Sequence, residues 1–181
     1  MRALRQLRMN VGILFTARRH RVDLIRALAR RPQLLLGTAL YEVAIGLSAR
    51  VETRLKVLAE LKVAALVACE YCLDIGSALA RESGLTEGQL QDLPRYQASD
   101  AYDDEERLVL ELAEAMTRAP VVITEELRSR LDRGFAPAQL SELAVVIAWE
   151  NQRARLNQAL GIRPSGFSDG EFCVLPEPAG V

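Results

Sequence analysis

The residues of this chain best suited to chemistry are Cys69 and Cys72, two of its three cysteines. Glu70 and Tyr71 separate them, which makes a CxxC arrangement. Two thiols at this spacing can close an intramolecular disulfide, and on a helix they lie on the same face. The pair therefore predicts a redox-active dithiol.

Two other interpretations of the cysteine pair compete with redox chemistry. Free cysteine packs well in a core, so both thiols could be buried and inert. A structural zinc site needs four ligands, and the chain adds only the distant Cys173 and its single histidine, His20, to the pair. We favour the redox interpretation, expect no metal and no organic cofactor, and assign no role to Cys173.

Activation of the dithiol depends on the helix that carries it. Residues 61–80 are rich in Ala and Leu and contain no Pro, so they predict one helix running through both cysteines. A helix start would lower a thiol pKa, but only a break near Val67 or Ala68 would create one there. Glu70 and Asp74 are negatively charged neighbours that oppose thiolate formation. The sequence thus predicts that a base must come from elsewhere.

Composition predicts a single all-α domain. The chain has 181 residues, enough for one substantial core; half are hydrophobic and only 5% are aromatic. Ala, Leu and Val must therefore supply most of the core, as they do in closely packed helices. We divide this one domain into a basic helical region at 1–45, a helical core at 46–161 and an irregular tail at 162–181.

The charge distribution bears on the classes of partner. Residues 1–31 hold nine arginines and the single acid Asp23, whereas residues 100–114 hold seven acids. We interpret the basic start as an ion-pairing helix, because Phe15 is the only aromatic residue before Tyr41 and no nucleic-acid-binding module is recognisable. No apolar run is long enough to span a membrane, and no signal peptide is recognisable. We expect a cytoplasmic protein without nucleic-acid or membrane partners.

Apolar spacing and capping residues predict the helices. Thr86 and Gln89 have the pattern of a capping box, and Gly84 can end the preceding helix. Ser48 is a plausible cap for the helix that leads to the cysteines. The predicted helices cover 19–31, 33–47, 49–68 continuing to 83, 87–93, 104–117, 125–131 and 137–160, with a polar connector at 96–102.

The dithiol segment resembles a known family. Residues 61–85, with the run Ala-Ala-Leu-Val-Ala-Cys-Glu-Tyr-Cys and the later Ser-Gly-Leu-Thr, resemble the carboxymuconolactone decarboxylase family and its alkylhydroperoxidase AhpD-like branch. The resemblance implies an all-α, AhpD-like helical bundle and an oligomeric thiol enzyme. By position it also implies that Cys72 attacks peroxide and that Cys69 resolves the resulting sulfenic acid to a disulfide.

The chain departs from the family pattern at two positions. Gly76 stands where the family has His, four residues after the second cysteine, and Val57 stands where it has Glu, twelve residues before the first. Both parts of the usual proton relay are therefore missing. Glu60, one helical turn after Val57, is the best substitute for the acid, while Ser77 and Asp74 are weaker candidates for the second role.

A second polar cluster lies in the last predicted helix. Glu150, Arg153 and Asn157 share one face at spacings of three and four. They could line the dithiol site, where Arg153 would favour a thiolate. We favour the other interpretation, in which the cluster forms an ion-pair network between helices or subunits.

The leading hypothesis is a thiol-dependent oxidoreductase that reduces peroxides, or a partner protein disulfide, through Cys69 and Cys72. Its expected partners are a peroxide or another small-molecule substrate, a protein reductant and further copies of the chain. Lactone decarboxylation, the reaction that names the family, is an alternative enzyme activity. A non-enzymatic, oligomeric redox sensor is the third hypothesis.

Overall fold

The computed structural model describes Arg8, Gly12 and residues 22–177. Within residues 22–177 it contains eight α-helices and no strand, which confirms the all-α prediction. Apart from Arg8 and Gly12, the predictions for residues 1–21, including His20, lie outside the described residues, and so does the end of the predicted tail at 178–181. The helices are α1 (Asp23–Leu28), α2 (Pro32–Leu47), α3 (Thr53–Val67), α4 (Glu70–Glu82), α5 (Glu87–Asp92), α6 (Asp104–Thr117), α7 (Glu125–Gly134) and α8 (Pro137–Ala159), with a 3₁₀ helix at Leu93–Ala98.

Helix α3 is the centre of the bundle. It packs against α4, α6 and α8, and its side chains are buried on nearly every side because each neighbour covers a different face. One face joins Leu58 and Leu61 to the two cysteines in a shared core. Another face joins Ala59 and Val63 to α6, α7 and α8. The dithiol therefore belongs to the main core of the protein.

Local capping explains the start of α5. The Thr86 hydroxyl accepts the backbone N–H of Gln89 (3.2 Å), and the Gln89 side chain accepts the N–H of Thr86 (3.1 Å). This reciprocal pair is the capping box predicted from the sequence, and the helix runs over Glu87–Asp92. Because the motif is local, its residues sufficed to predict it.

The start of α3 differs from the prediction. Ser48 ends α2, and α3 begins only at Thr53. The Ser48 carbonyl accepts Nζ of Lys56 (2.7 Å), and Glu142 accepts the backbone N–H of Arg50 (2.8 Å). These long-range contacts hold the segment between the helices, so Ser48 as a cap for the next helix was wrong.

The continuous helix predicted through both cysteines is also wrong, because α3 ends at Val67 and α4 starts after Cys69. Ala68 adopts the left-handed conformation, with φ 58° and ψ 42°. The Cys69 N–H then bonds back to the Ala64 carbonyl (3.0 Å), as in a Schellman motif. Gln158 of α8 donates to the carbonyls of Val67 (2.7 Å) and Ala68 (3.0 Å). A distant side chain thus satisfies the carbonyls that the break exposes.

From the end of α8 to residue 177 the described chain contains no helix, yet this segment is anchored to α4. The Asp74 carboxylate accepts four consecutive backbone N–H groups, at 2.8 to 3.2 Å, from Ser165, Gly166, Phe167 and Ser168. Four donors are close to the full capacity of a carboxylate. Asp74 therefore holds the tail in place.

A second anchor joins the tail to α3. Lys62 is 1% exposed, and its Nζ lies 2.6 Å from Oε1 of Glu177. The Glu177 N–H also donates to the Ala65 carbonyl (3.0 Å), and Arg81 donates to the Phe172 carbonyl (2.6 Å). The tail therefore packs across both helices that flank the break.

Helices α1 and α2 leave much apolar surface uncovered. Tyr41 and Ile45 contact the body of the domain at Trp149, where the Tyr41 and Trp149 rings lie 4.2 Å apart. The exposed large apolar side chains of this hairpin are Val22, Ile25, Leu34, Leu36, Leu40, Tyr41, Val43 and Leu47. Even so, within residues 22–177 no helix is long and apolar enough to cross a membrane.

Candidate functional site

The site is built around a disulfide between Cys69 and Cys72, whose Cα atoms lie 5.2 Å apart. Cys69 is 1% exposed and Cys72 is 5% exposed. Cys69 is the N-cap of α4, and its sulfur accepts the backbone N–H of Cys72 at 3.3 Å. The break at Ala68 therefore supplies the helix start that the sequence lacked, and it favours negative charge on Cys69 once the disulfide is reduced.

The second sulfur has a donor of its own. Nδ2 of Asn157 lies 3.4 Å from Sγ of Cys72, and Asn157 is 1% exposed. This contact joins α8 to the start of α4 across 85 residues of sequence. Spacing placed Asn157 on a helix face with Arg153, but no local pattern could show that this face reaches Cys72.

One turn before Asn157, Arg153 forms the ion-pair network that the sequence favoured. Its Nη1 bonds both oxygens of Glu42 (3.0 and 3.1 Å), its Nη2 bonds Glu60 (3.0 Å), and its Nε bonds Glu150 (2.6 Å). Trp149 also donates to Glu42 (2.9 Å). The network joins α2, α3 and α8, so the last helix serves both interpretations: Arg153 faces carboxylates and Asn157 faces the sulfur.

Burial raises the pKa values of two of the carboxyl groups around Arg153. Burial raises the pKa of Glu150 to about 7; Glu60 and Glu42 add to the rise, while Arg153 opposes it. Burial likewise raises the pKa of Glu60, again against the attraction of Arg153. The cluster therefore favours retaining a proton near neutral pH.

The predicted acid Glu60 lies in this network and accepts from Arg153. Its side chain is 19% exposed, whereas Val57, the family's acid position, is buried in the core beside the cysteines. Glu150 is a second acid of the same cluster that the sequence had not singled out for proton transfer. Its signal was its spacing of three from Arg153, which suits an ion pair equally well.

The weaker candidates are occupied elsewhere. Asp74 is saturated by the N–H groups of the tail, and the Ser77 hydroxyl accepts the N–H of Val174 (3.0 Å). A Cβ atom at Gly76 would lie 3.0 Å from Cδ1 of Leu61, so close packing fills the position of the family histidine. Ser77 and Asp74 therefore hold structure together and are not free to replace a relay.

The third thiol differs from the pair. Cys173 is half-buried and free, and its sulfur lies 3.8 Å from the Ser77 hydroxyl. Burial is the main influence on its pKa and raises it, which disfavours the reactive thiolate. Among residues 22–177, no group of three or more His, Cys, Asp or Glu side chains is arranged to hold a metal ion.

Comparison with known proteins identifies the family of the chain. The model of the carboxymuconolactone decarboxylase family matches residues 33–115, which include the dithiol. Uncharacterized protein YdfG of Bacillus subtilis (strain 168) is 30% identical over 107 residues, covering 59% of this chain and 73% of that protein. The chain belongs to the carboxymuconolactone decarboxylase family. This membership confirms the resemblance found in the sequence.

A longer protein also has a similar sequence. Uncharacterized protein YnjA of Escherichia coli (strain K12) is 34% identical over 116 residues, which cover 64% of this chain. The match spans only 61% of the length of YnjA. The printed names of YnjA and YdfG state no reaction.

Solved structures share the fold of this carboxymuconolactone decarboxylase family member. The debrominase Bmp8 superposes with a TM-score of 0.72 at 21% identity, over 91% of this chain and 85% of Bmp8. A Bmp8 variant was solved in complex with 2,3,4-tribromopyrrole. An uncharacterized peroxidase-related protein from Ralstonia eutropha JMP134, with an alkylhydroperoxidase AhpD core, superposes with a TM-score of 0.65 at 21% identity. The superposition covers 78% of this chain and 76% of that protein. These likenesses establish an AhpD-like helical fold.

Proposed function

We propose that the protein is a thiol-dependent oxidoreductase that reduces peroxides through Cys69 and Cys72. One observation carries the proposal: the two cysteines form a disulfide at a helix start, and each sulfur has its own N–H donor. N–H donors stabilise thiolates, the species that attack peroxides. The chain belongs to the carboxymuconolactone decarboxylase family, and a solved protein with an alkylhydroperoxidase AhpD core shares its fold. Both observations support the same chemistry.

In the proposed cycle, Cys72 is the attacking cysteine. Its thiolate attacks the terminal oxygen of a hydroperoxide, so an S–O bond forms, the O–O bond breaks and the alkoxide leaves and takes up a proton. The Cys69 thiolate then displaces hydroxide from the Cys72 sulfenic acid and closes the disulfide. A protein dithiol supplies two electrons to reopen it. Such recycling suits the cytoplasm, where thiols are kept reduced.

We assign the proton supply to the Arg153 cluster, with Glu60 as the acid that replaces the one missing at Val57. Burial raises the pKa of Glu60, and it raises the pKa of Glu150 to about 7, so the cluster contains an acid that can hold a proton and donate it to the leaving alkoxide. Arg153 holds both carboxyls together and shares a helix face with Asn157.

Single cysteine variants test the proposed function. Cys72→Ser should abolish turnover of an alkyl hydroperoxide with dithiothreitol as reductant. In a single turnover without reductant, Cys69→Ser should form no disulfide but should let Cys72 form a sulfenic acid that dimedone traps. Cys173→Ser is the matched control and should keep activity. Unchanged peroxide consumption by Cys72→Ser would refute the mechanism.

Burial of the disulfide favours the redox sensor as a second candidate. Neither cysteine residue is more than 5% exposed, so a protein reductant can reach the sulfurs only after local movement. A sensor would oxidise once per chain and would not turn over with thioredoxin or dithiothreitol.

Lactone decarboxylation needs acid and base groups but no dithiol, so it should survive substitution of both cysteines by Ser.

We also propose that the chain forms a homo-oligomer through the hairpin of α1 and α2. The support is the set of exposed large apolar side chains on this hairpin, whose helix α2 also carries Glu42 of the Arg153 cluster. A second copy is the natural occupant, because an isologous contact would cover the same apolar patch on both chains.

A further inference from the structure

One polar atom beside the dithiol lacks a hydrogen-bond partner within the described part of the chain. Oδ1 of Asn157 is buried and accepts no hydrogen bond from any residue that the structure describes. Asn157 is 99% buried, since its exposure is 1%. Nearly all buried carbonyl oxygens in proteins accept a hydrogen bond, so this acceptor needs an explanation.

The position of this acceptor suggests what it is for. The other end of the same amide donates to Sγ of Cys72 at 3.4 Å. The planar amide therefore holds an N–H donor and an unused C=O acceptor beside the sulfur that is proposed to react. In the disulfide state neither sulfur carries a hydrogen, so the site contains no S–H or S–O–H group to satisfy the acceptor.

We propose that the amide of Asn157 binds the hydroperoxide: Nδ2 holds the Cys72 thiolate while Oδ1 accepts the O–H of the substrate. This inference rests on the proposed function. When the thiolate attacks the terminal oxygen, the S–O bond forms and the O–O bond breaks, but the hydrogen stays on the attacked oxygen. The same O–H becomes that of the sulfenic acid, so Oδ1 keeps its hydrogen bond through the oxidation step.

An amide suits this task for a chemical reason. The hydrogen it binds is not transferred in the step, so the acceptor needs no pKa near neutrality. A neutral amide also adds no negative charge beside a thiolate, whereas a carboxylate would oppose its formation. The alkoxide still needs a proton, which remains the task of the separate acid cluster around Arg153.

Two reagents distinguish the acceptor from the donor role. In a Cys69→Ser background, Cys72 is allowed to react with cumene hydroperoxide, which carries an O–H, and with iodoacetamide, which carries none and from which the same thiolate displaces iodide. The ratio of the two rate constants cancels the fraction of thiolate. A pH profile of alkylation gives the Cys72 pKa separately.

The key variants are Asn157→Leu, which removes donor and acceptor at similar volume, and Asn157→Asp, which keeps an acceptor and loses the donor. We expect the peroxide-to-iodoacetamide ratio to fall about tenfold or more in Asn157→Leu and to stay near the parent value in Asn157→Asp. The Cys72 pKa should rise in both. Asn151→Ala is the matched control, because Asn151 lies on α8 but bonds Thr117 and Ile147.

Several outcomes overturn the inference. An unchanged ratio in Asn157→Leu would leave Asn157 as a thiolate donor only, and an equal fall in Asn157→Asp would exclude the acceptor role. If the parent does not react with peroxide but does react with iodoacetamide, the proposed function itself fails. Circular dichroism verifies folding, and Asn157→Ala, which also lacks donor and acceptor, replaces Asn157→Leu, with the same expected fall, if the leucine variant does not fold.

Discussion

Gly76 of α4 packs so closely against Leu61 of α3 that a Cβ atom at position 76 would lie 3.0 Å from Leu61 Cδ1. This contact explains why a histidine cannot simply be restored at the family position. The two helices meet beside the dithiol, so any larger side chain must push Leu61 out of a core in which it is 1% exposed.

Gly76→His should therefore destabilise the protein, by about 1 to 3 kcal/mol, as overpacking of a core does. It should not raise peroxide turnover, because the imidazole must displace Leu61 before it can be seated. Gly76→Ala is the control: its gain in helix propensity of about 1 kcal/mol offsets a milder clash. Urea denaturation measures both, and a stable, more active Gly76→His would contradict the packing argument.

Ala68→Gly should stabilise the protein by about 1 kcal/mol, because Ala68 has a φ of 58° that alanine adopts at a cost and glycine does not. Chemical denaturation of the reduced protein tests this without the disulfide. Ala115→Gly, within α6, is the matched substitution at a right-handed helical position and should cost about 1 kcal/mol. Equal losses at both positions would contradict the left-handed assignment.

The raised pKa of Glu150 makes stability depend on pH. Its carboxyl titrates near 4.5 in the unfolded chain and at about 7 in the fold, so between these values the folded state binds more protons. The free energy of unfolding should therefore fall as pH rises through this window, by up to about 1.4 kcal/mol per pH unit. Glu150→Gln should flatten the slope in denaturation curves, whereas exposed Glu125→Gln should leave it unchanged.

The ion pair of Lys56 and Glu142 should be costly to break from one side. Their side chains are 1% and 4% exposed, and Nζ lies 2.8 Å from the carboxylate. Lys56→Met leaves a buried carboxylate without its cation and should cost about 3 kcal/mol or more, measured by thermal or urea unfolding. The double variant Lys56→Met/Glu142→Leu should recover most of this loss. A small cost for Lys56→Met alone would show that the pair is not effectively buried.

Charged substitutions on α2 test the proposed oligomer. Leu36 and Leu40 are 60% and 62% exposed, so Leu36→Asp/Leu40→Asp should reduce the molar mass measured by light scattering while the monomer stays folded. Leu175→Asp, at an equally exposed apolar position in the tail (69%), should not change the mass. A wild-type chain that is monomeric at high concentration would refute the proposal.

Features with local causes were predictable from the sequence, and those with distant causes were not. Thr86 and Gln89 lie three residues apart, so the start of α5 could be read directly. No glycine or proline marks the helix break at Ala68 in the sequence. Gln158, 90 residues away, stabilises this break, so a local pattern could not predict it. The spacing of Cys69 and Cys72 predicted a dithiol. The hydrogen-bond donor to Cys72 is Asn157 of α8, which no local pattern could indicate.

Asn157 and Gln158 are neighbours in the chain, yet they bond to opposite sides of the helix break. Asn157 contacts the sulfur of Cys72, and Gln158 contacts the carbonyls of Val67 and Ala68. Two adjacent residues thus hydrogen-bond both the sulfur that is proposed to react and the backbone of the helix break that positions it. A displacement of this turn of α8 would alter sulfur chemistry and helix geometry together, so mutations remote from the dithiol that shift α8 should appear as redox defects.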